Sequence, residues 1–250
     1  MSFIFLNKGG VPVARVRIIF TDLDGTLTES RKTYRLSLEA VEALRRLVAR
    51  GVMVSIVSSN ALPVVVGLHR YLGLNGPAIA ETGALVYSEE LGLIELPERS
   101  AREAYVDVLS RFKGLVLDSW QNRFKLYDYA LRVGDASSGG EVYKLVKEYV
   151  EPRYPWVRVG YSKYAIHLTP RDVDKGRAVR LVLGRLGFSP EEAAAVGDSE
   201  MDGDLIQAVG LGVATGDADE ELKSKARLVI NEPAGRAIVR LAELVEEGKI

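Results

Sequence analysis

The run Val16-Arg17-Ile18-Ile19-Phe20-Thr21-Asp22-Leu23-Asp24-Gly25-Thr26 decides how this 250-residue chain is read. An apolar stretch ends by presenting two carboxylates, two residues apart, and then a glycine turn. On a strand, residues i and i+2 point the same way. Asp22 and Asp24 are therefore expected to share one pocket at the C-terminal edge of a buried strand, where open α/β sheets bind ligands. Two such carboxylates repel by roughly 4 kcal/mol at about 4 Å and an effective dielectric near 20. Both stay ionised when a cation sits between them. The pattern predicts a metal site with a carboxylate that can act as a nucleophile. The plainer reading, two aspartates capping turns, has to be weighed against the rest of the chain.

Outward from that run, apolar strands alternate with helical periods. Leu38, Val41, Leu44, Leu47 and Val48 keep a helical spacing and Gly51 stops it. Val52 to Val57 is a continuous apolar run of the kind buried in parallel sheets. A helix with Pro63 in its first turn runs to about Tyr71, and Pro77 to Ala80 is a short strand. Ala193 to Val196, Leu211 to Ala214 and Arg227 to Ile230 supply three more strands, each followed by a helical pattern. This alternation predicts an α/β fold, a doubly wound, Rossmann-like parallel sheet. Residues 1–14, with Gly9-Gly10 and Pro12, read as an extension ahead of it.

The middle of the chain breaks the alternation. Leu115 to Leu117 and Phe124 to Tyr129 read as strands, about Gly140 to Val150 as a helix, and Val157 to Gly160 with Ala165 to Leu168 as a hairpin. The expectation is a small α+β insert at 86–170 within a core formed by 1–85 and 171–250.

The composition narrows the chemistry. A net charge of −1 argues against nucleic acid or an anionic membrane held by bulk charge. No apolar run reaches the length of a membrane span, and the first residues lack the pattern of a secretory leader, so a cytoplasmic protein is expected. With no cysteine and only two histidines, oxygen ligands remain, which favours Mg²⁺ or a similar hard cation.

Three further groups follow predicted strands or open predicted helices. Ser58-Ser59-Asn60 offers hydroxyls and backbone N–H groups for an anion. Lys175 opens the helix that returns from the insert, and Gly197-Asp198-Ser199-Glu200-Met201-Asp202 supplies two more carboxylates. The last segment is not a calcium loop, because Glu200 and Val209 stand where such a loop has Asp or Asn and then Glu. Together they make a complete set, with carboxylates for a cation, hydroxyls and a lysine for an anion, and one carboxylate to spare.

Asp22-Leu23-Asp24-Gly25-Thr26, Ser58, Lys175 and Gly197-Asp198-Ser199-x-x-Asp202 resemble the four motifs of the haloacid dehalogenase superfamily of phosphohydrolases. Glu81-Thr82-Gly83-Ala84 and the segment Gly216 to Lys223 resemble its sugar-phosphatase-like branch. Size and Ser58-x-Asn60 most resemble archaeal phosphoglycolate phosphatases. Family members usually carry Asn where this chain has Met201, which puts one local hydrogen bond in question. The resemblance implies that Asp22 attacks phosphorus and that Asp24 protonates the leaving alcohol, then activates water. It implies Mg²⁺ held by Asp22, the Asp24 carbonyl, Asp198 and Asp202. It also implies phosphoryl oxygens held by Ser58, Ser59, Asn60 and Lys175, in an enzyme acting on a small phosphorylated metabolite. Arg123 and His167 of the insert are the candidates for the far end of the substrate. A sugar phosphatase or phosphomutase of the same branch, a phospho-accepting receiver and an inactive phosphate-binding protein remain as alternatives.

Overall fold

The computed structural model describes residues 5–6, 15–134, 136–162 and 165–250. In chain order they form β1 (Phe5–Leu6), β2 (Ile18–Thr21), α1 (Leu38–Ala49), β3 (Met53–Ile56), α2 (Leu62–Leu72), β4 (Ala78–Ala80), β5 (Leu85–Ser88) and β6 (Gly92–Glu95). Then come α3 (Arg102–Arg111), β7 (Val116–Asp118), β8 (Tyr129–Val133), α4 (Gly139–Arg153), β9 (Val157–Tyr161) and β10 (Ala165–Pro170). The chain closes with α5 (Lys175–Leu186), β11 (Ala193–Gly197), α6 (Gly203–Gln207), β12 (Leu211–Ala214), α7 (Glu220–Lys225), β13 (Leu228–Val229) and α8 (Ala234–Glu246).

The main sheet runs β1-β13-β12-β11-β2-β3, parallel throughout except for β1 at its edge. Most of the expected N-terminal extension lies outside the described residues, but Phe5–Leu6 pairs antiparallel with β13. Beyond β3 the parallel bridge Val57–Ile79 continues the sheet into β4, which also begins the antiparallel sheet β4-β5-β6. Strand alternation sends Ile19 into one apolar layer, with Leu44, Leu47 and Ile238 from α1 and α8. Ile18 and Phe20 enter the other layer, with Val179, Val182 and Leu205 from α5 and α6. The chain departs from β2 in opposite directions, through β3 on one side and β11 on the other. The C-terminal ends of β2 and β11 therefore flank the switch point where such sheets form a crevice.

The insert has its own antiparallel sheet, β7-β8-β10-β9, with α3 and α4 against one face. Its apolar cluster includes Val108, Leu131, Val146, Val159 and Ile166 and starts at Ala101, whereas Leu85, Val86 and Ile94 of the β5–β6 hairpin pack on the core layers. Along β10, Ile166 and Leu168 join the insert cluster, so His167 and Thr169 lie on the opposite face; Arg158 and Gly160 do the same on β9.

One expected strand is not formed. Phe124 to Tyr129 alternates on paper, but Trp120–Phe124 is a 3-10 turn and β8 starts only at Tyr129. Phe124 and Leu126 are exposed, while Lys125 and Asp128 are buried against each other at 2.9 Å. The N–H groups of Leu126, Tyr127 and Asp128, which a strand would give to a neighbour, donate instead to the buried carboxylate of Glu81. A side chain 45 residues away thus satisfies this backbone.

Candidate active site

Asp22 extends β2, and its backbone N–H donates to the Val196 carbonyl on β11 at 2.9 Å, tying the ends of the two central strands together. Lys175 arrives from the opposite side at the first position of α5. That helix starts there because the side chain of Asp174 caps it, accepting from the Arg177 N–H at 2.6 Å. The buried Lys175 Nζ donates to Asp22 Oδ1 and to Asp202 Oδ1, both at 2.6 Å.

Asp198 leaves β11 and accepts from Thr26 Oγ1 at 2.8 Å, and Arg31 Nε pairs with its other oxygen at 2.7 Å. Gly25 allows that approach. Its φ is +95°, and a Cβ there would stand 2.5 Å from Asp198 Oδ2. Oxygens of Asp22, Asp198 and Asp202 all lie within 4.8 Å of one another.

Three carboxylates against Lys175 and Arg31 leave an excess of negative charge. Burial is the main force raising the Asp22 carboxyl well above its ordinary range; Lys175 opposes it, while Asp202 and Asp198 add to it. Burial, then Asp202, pushes Asp198 up to about 7 against Thr26 and Arg31. Lys175 is held above its ordinary value: burial would lower it, but Asp202 and Asp22 outweigh that. A dry, oxygen-only set with surplus negative charge is the donor chemistry of a hard divalent cation.

Asp24 is not part of this cluster. Its carboxylate turns toward the next strand end and accepts from Asn60 Nδ2 at 2.6 Å. The expected pairing of Asp22 with Asp24 around one cation is thus replaced by Asp22 with Asp198 and Asp202. Only the Asp24 main chain remains as its link to a metal. Although Asp24 reaches solvent, surrounding protein raises its carboxyl, opposed by Asn60 and then by the charges of Lys175 and His167. The buried Ser58 Oγ accepts from both the N–H and the Nδ2 of Asn60, at 3.1 and 2.9 Å. Ser59 follows, half-buried, in the same turn.

Met201, the departure from the family pattern, leaves no gap in this loop. Asp202 Oδ2 itself accepts from the N–H groups of Asp198 and Ser199 and from the Ser199 hydroxyl. The Met201 side chain instead reaches the insert, with Cε 3.8 Å from where a Cβ on Gly160 would sit.

A model of the haloacid dehalogenase-like hydrolases matches residues 19–116 and 125–241. The chain belongs to this family. Among its relatives, a phosphoglycolate phosphatase of Staphylothermus marinus is 48% identical over 232 residues, 92% of this chain and 98% of that protein. One from Sulfolobus acidocaldarius is 35% identical, over 94% and 99%. A crystal structure from Thermoplasma acidophilum is similar with a TM-score of 0.81 at 24% identity, covering 93% of this chain and 99% of that one. A haloacid dehalogenase-like hydrolase from Bacteroides thetaiotaomicron gives 0.73 at 22%, with the same coverage. At those identities the two structures speak to the fold alone.

The family motifs thus account for the core half of the site; the insert half has no such motif. His167 is buried on the core-facing side of β10, close enough for its charge to act on Asp24. Its Nδ1 lies 3.7 Å from Asp128 Oδ2, too far for a hydrogen bond. Arg123 is exposed on the 3-10 turn, and from that same turn it is Gln121 that reaches the core. Gln121, Arg31 and Glu81 are the residues that sequence reasoning passed over as site-builders. Arg31 and Gln121 are lone polar residues in no periodic pattern, so nothing local marks them. Glu81 stands in the stretch Glu81-Thr82-Gly83, where the positive φ of all three residues signals a special turn.

Proposed function

We propose that this phosphoric monoester hydrolase acts on 2-phosphoglycolate, releasing glycolate and phosphate through an aspartyl-phosphate on Asp22. The observation that carries the reading is the meeting of Asp22, Lys175, Asp198 and Asp202 at the switch point of the sheet. The phosphoglycolate phosphatase that is 48% identical over nearly its whole length favours that substrate.

Asp22 Oδ attacks phosphorus as the ester P–O bond breaks, and the carboxylic acid of Asp24 gives its proton to the departing alkoxide. The resulting Asp24 carboxylate then takes a proton from water. That water's oxygen attacks phosphorus, and the acyl phosphate P–O bond breaks to return free Asp22 and inorganic phosphate. The raised carboxyl of Asp24 suits a group that must be protonated in the first step and basic in the second. Lys175 and the Ser58 hydroxyl orient and neutralise phosphoryl oxygens.

Mg²⁺ fits the oxygen-only cluster. Asp22, Asp198 and the Asp24 carbonyl would hold it, with Asp202, most of whose acceptor sites serve protein donors, acting through water. Bound there, the ion neutralises the attacked phosphoryl group. The insert, carrying His167 over the core, serves as a cap that excludes bulk water and selects the substrate.

The test is a panel of phosphomonoesters with Mg²⁺, ranked by kcat/KM. 2-Phosphoglycolate should lead the panel. Hexose phosphates ahead of it by tenfold or more would overturn the substrate assignment, and no turnover of any ester would overturn the function.

A further inference from the structure

Besides the Glu81 contact, the insert and the core share an unbroken line of hydrogen bonds that ends on the proposed acid–base group. Gln121 Oε1 accepts from the Ala61 backbone N–H at 2.8 Å. Its Nε2 donates to Asn60 Oδ1 at 2.5 Å. Asn60 Nδ2 donates in turn to Asp24 Oδ2 at 2.6 Å and to Ser58 Oγ at 2.9 Å.

The two ends of this line have fixed roles. A backbone N–H only donates, and Asp24 Oδ2 accepts both in the carboxylate and in the acid whose proton sits on Oδ1. Between them each carboxamide has one orientation that satisfies both neighbours. Gln121 must put oxygen on Ala61 and nitrogen on Asn60; Asn60 must then put oxygen on Gln121 and nitrogen on Asp24. A reversed Asn60 would set its carbonyl oxygen against the Asp24 carboxylate, a repulsive contact in a half-buried setting. Without Gln121, Asn60 Oδ1 loses its donor, and only the contacts of Nδ2 to Asp24 and Ser58 are left to hold the side chain.

Gln121 is also delivered rigidly. Its neighbour Asn122 is buried, donates to Asp118 Oδ1 at 2.7 Å and to the Ala130 carbonyl at 2.8 Å, and accepts from the Ala130 N–H at 3.0 Å. The turn is thereby pinned to β8. It also lies in the segment, 117–124, that the family model skips.

We propose that Gln121 is a positioning residue carried by the insert. Its amide fixes Asn60 and, through Asn60, the carboxylate of Asp24, so that proton transfer to the leaving group is aligned only while the insert is seated on the core. The proposal rests on Asp24 being the acid–base group. It couples cap position to chemistry through one side chain, with no change at the nucleophile.

Leaving-group dependence tests it. An alkoxide needs a proton to depart; p-nitrophenolate does not. kcat/KM reports steps up to formation of the phosphoenzyme, so it reads the acid role alone. Gln121→Ala should lower kcat/KM for the best alkyl phosphate by about 10- to 100-fold, part of the 10²–10⁴ that general acid catalysis supplies. The same variant should change p-nitrophenyl phosphate by less than about threefold, with Tm close to wild type. Gln121→Glu keeps the acceptor for Ala61 but reverses the demand on Asn60, and should lose at least as much as Ala. On the alkyl phosphate, the Gln121→Ala, Asn60→Ala double variant should be no worse than Asn60→Ala alone.

Equal losses on both esters would make Gln121 a mere cap contact and overturn the proposal, as would wild-type rates in Gln121→Glu. Asp24→Asn is the separate control. It should show the strongest selectivity for good leaving groups; if it shows none while Gln121→Ala does, the acid–base assignment of Asp24 fails rather than the measurement.

Discussion

Two lysines are buried among the described residues, one in the core and one in the insert, and each meets carboxylates. Lys125 of the insert is ion-paired with Asp128, which also accepts from Thr169 Oγ1 at 2.6 Å, and the lysine's charge acts on the buried Glu81 as well. Burial would raise the Asp128 carboxyl, but Lys125 and then His167 outweigh that and hold it well below the ordinary carboxylate range. Lys175 of the core shares its ammonium between Asp22 and Asp202, with Asp198 alongside, and there the carboxyls of Asp22 and Asp198 are pushed up. The lesson is one of charge balance: around Asp128 the lysine outweighs burial and the acid stays ionised, whereas Lys175 and Arg31 do not offset three core carboxylates, which leaves room for a cation.

The contrast breaks most clearly under substitution. Asp22→Asn is expected to reduce turnover by at least about 10³-fold, as loss of a covalent nucleophile does. The Tm of the metal-free protein should hold or rise, because one of three crowded charges is gone. Near-wild-type turnover would remove Asp22 as nucleophile. Asp128→Asn should do the reverse. It strands Lys125 without its counter-charge, a cost of about 3–5 kcal/mol, seen as a drop in Tm of roughly 6–20 °C in a chain of this size. An unchanged Tm would mean that Lys125 does not depend on Asp128 for its counter-charge.

A smaller effect sharpens the comparison through pH. Asp22 and Asp198 have carboxyls raised in the folded state. Stability associated with their protonation is present at low pH and lost as pH rises through about 7, the value for Asp198. The metal-free protein should therefore lose Tm between about pH 5 and 8. Mg²⁺, which replaces that proton charge, should raise Tm more at pH 8 than at pH 5. An equal rise at both would detach the cation from these carboxylates. The smallest effect is expected at Arg123. It is exposed, so Arg123→Ala should shift stability by no more than about 0.5 kcal/mol and KM by less than about twofold. A tenfold rise in KM would return it to the substrate contacts.

The same contrast explains what was legible in the sequence. The core strands are continuous apolar runs, and the motifs fall at their ends, so fold and nucleophile follow from position along the chain. What the alternation did not foresee is that the Asp24 side chain meets Asn60 rather than the other carboxylates. In the insert, Phe124 to Tyr129 alternates like a strand, yet its N–H groups belong to Glu81, and no local pattern encodes a partner 45 residues away. Gln121 carries no periodic signal; only the fold sets it on Asn60.

The most direct test of the central claim is phosphate release from 2-phosphoglycolate before EDTA, after it, and after Mg²⁺ is restored. Release that stops with the chelator and returns with the ion is what three buried carboxylates against Lys175 and Arg31 predict. Release that continues unchanged in EDTA would contradict the account.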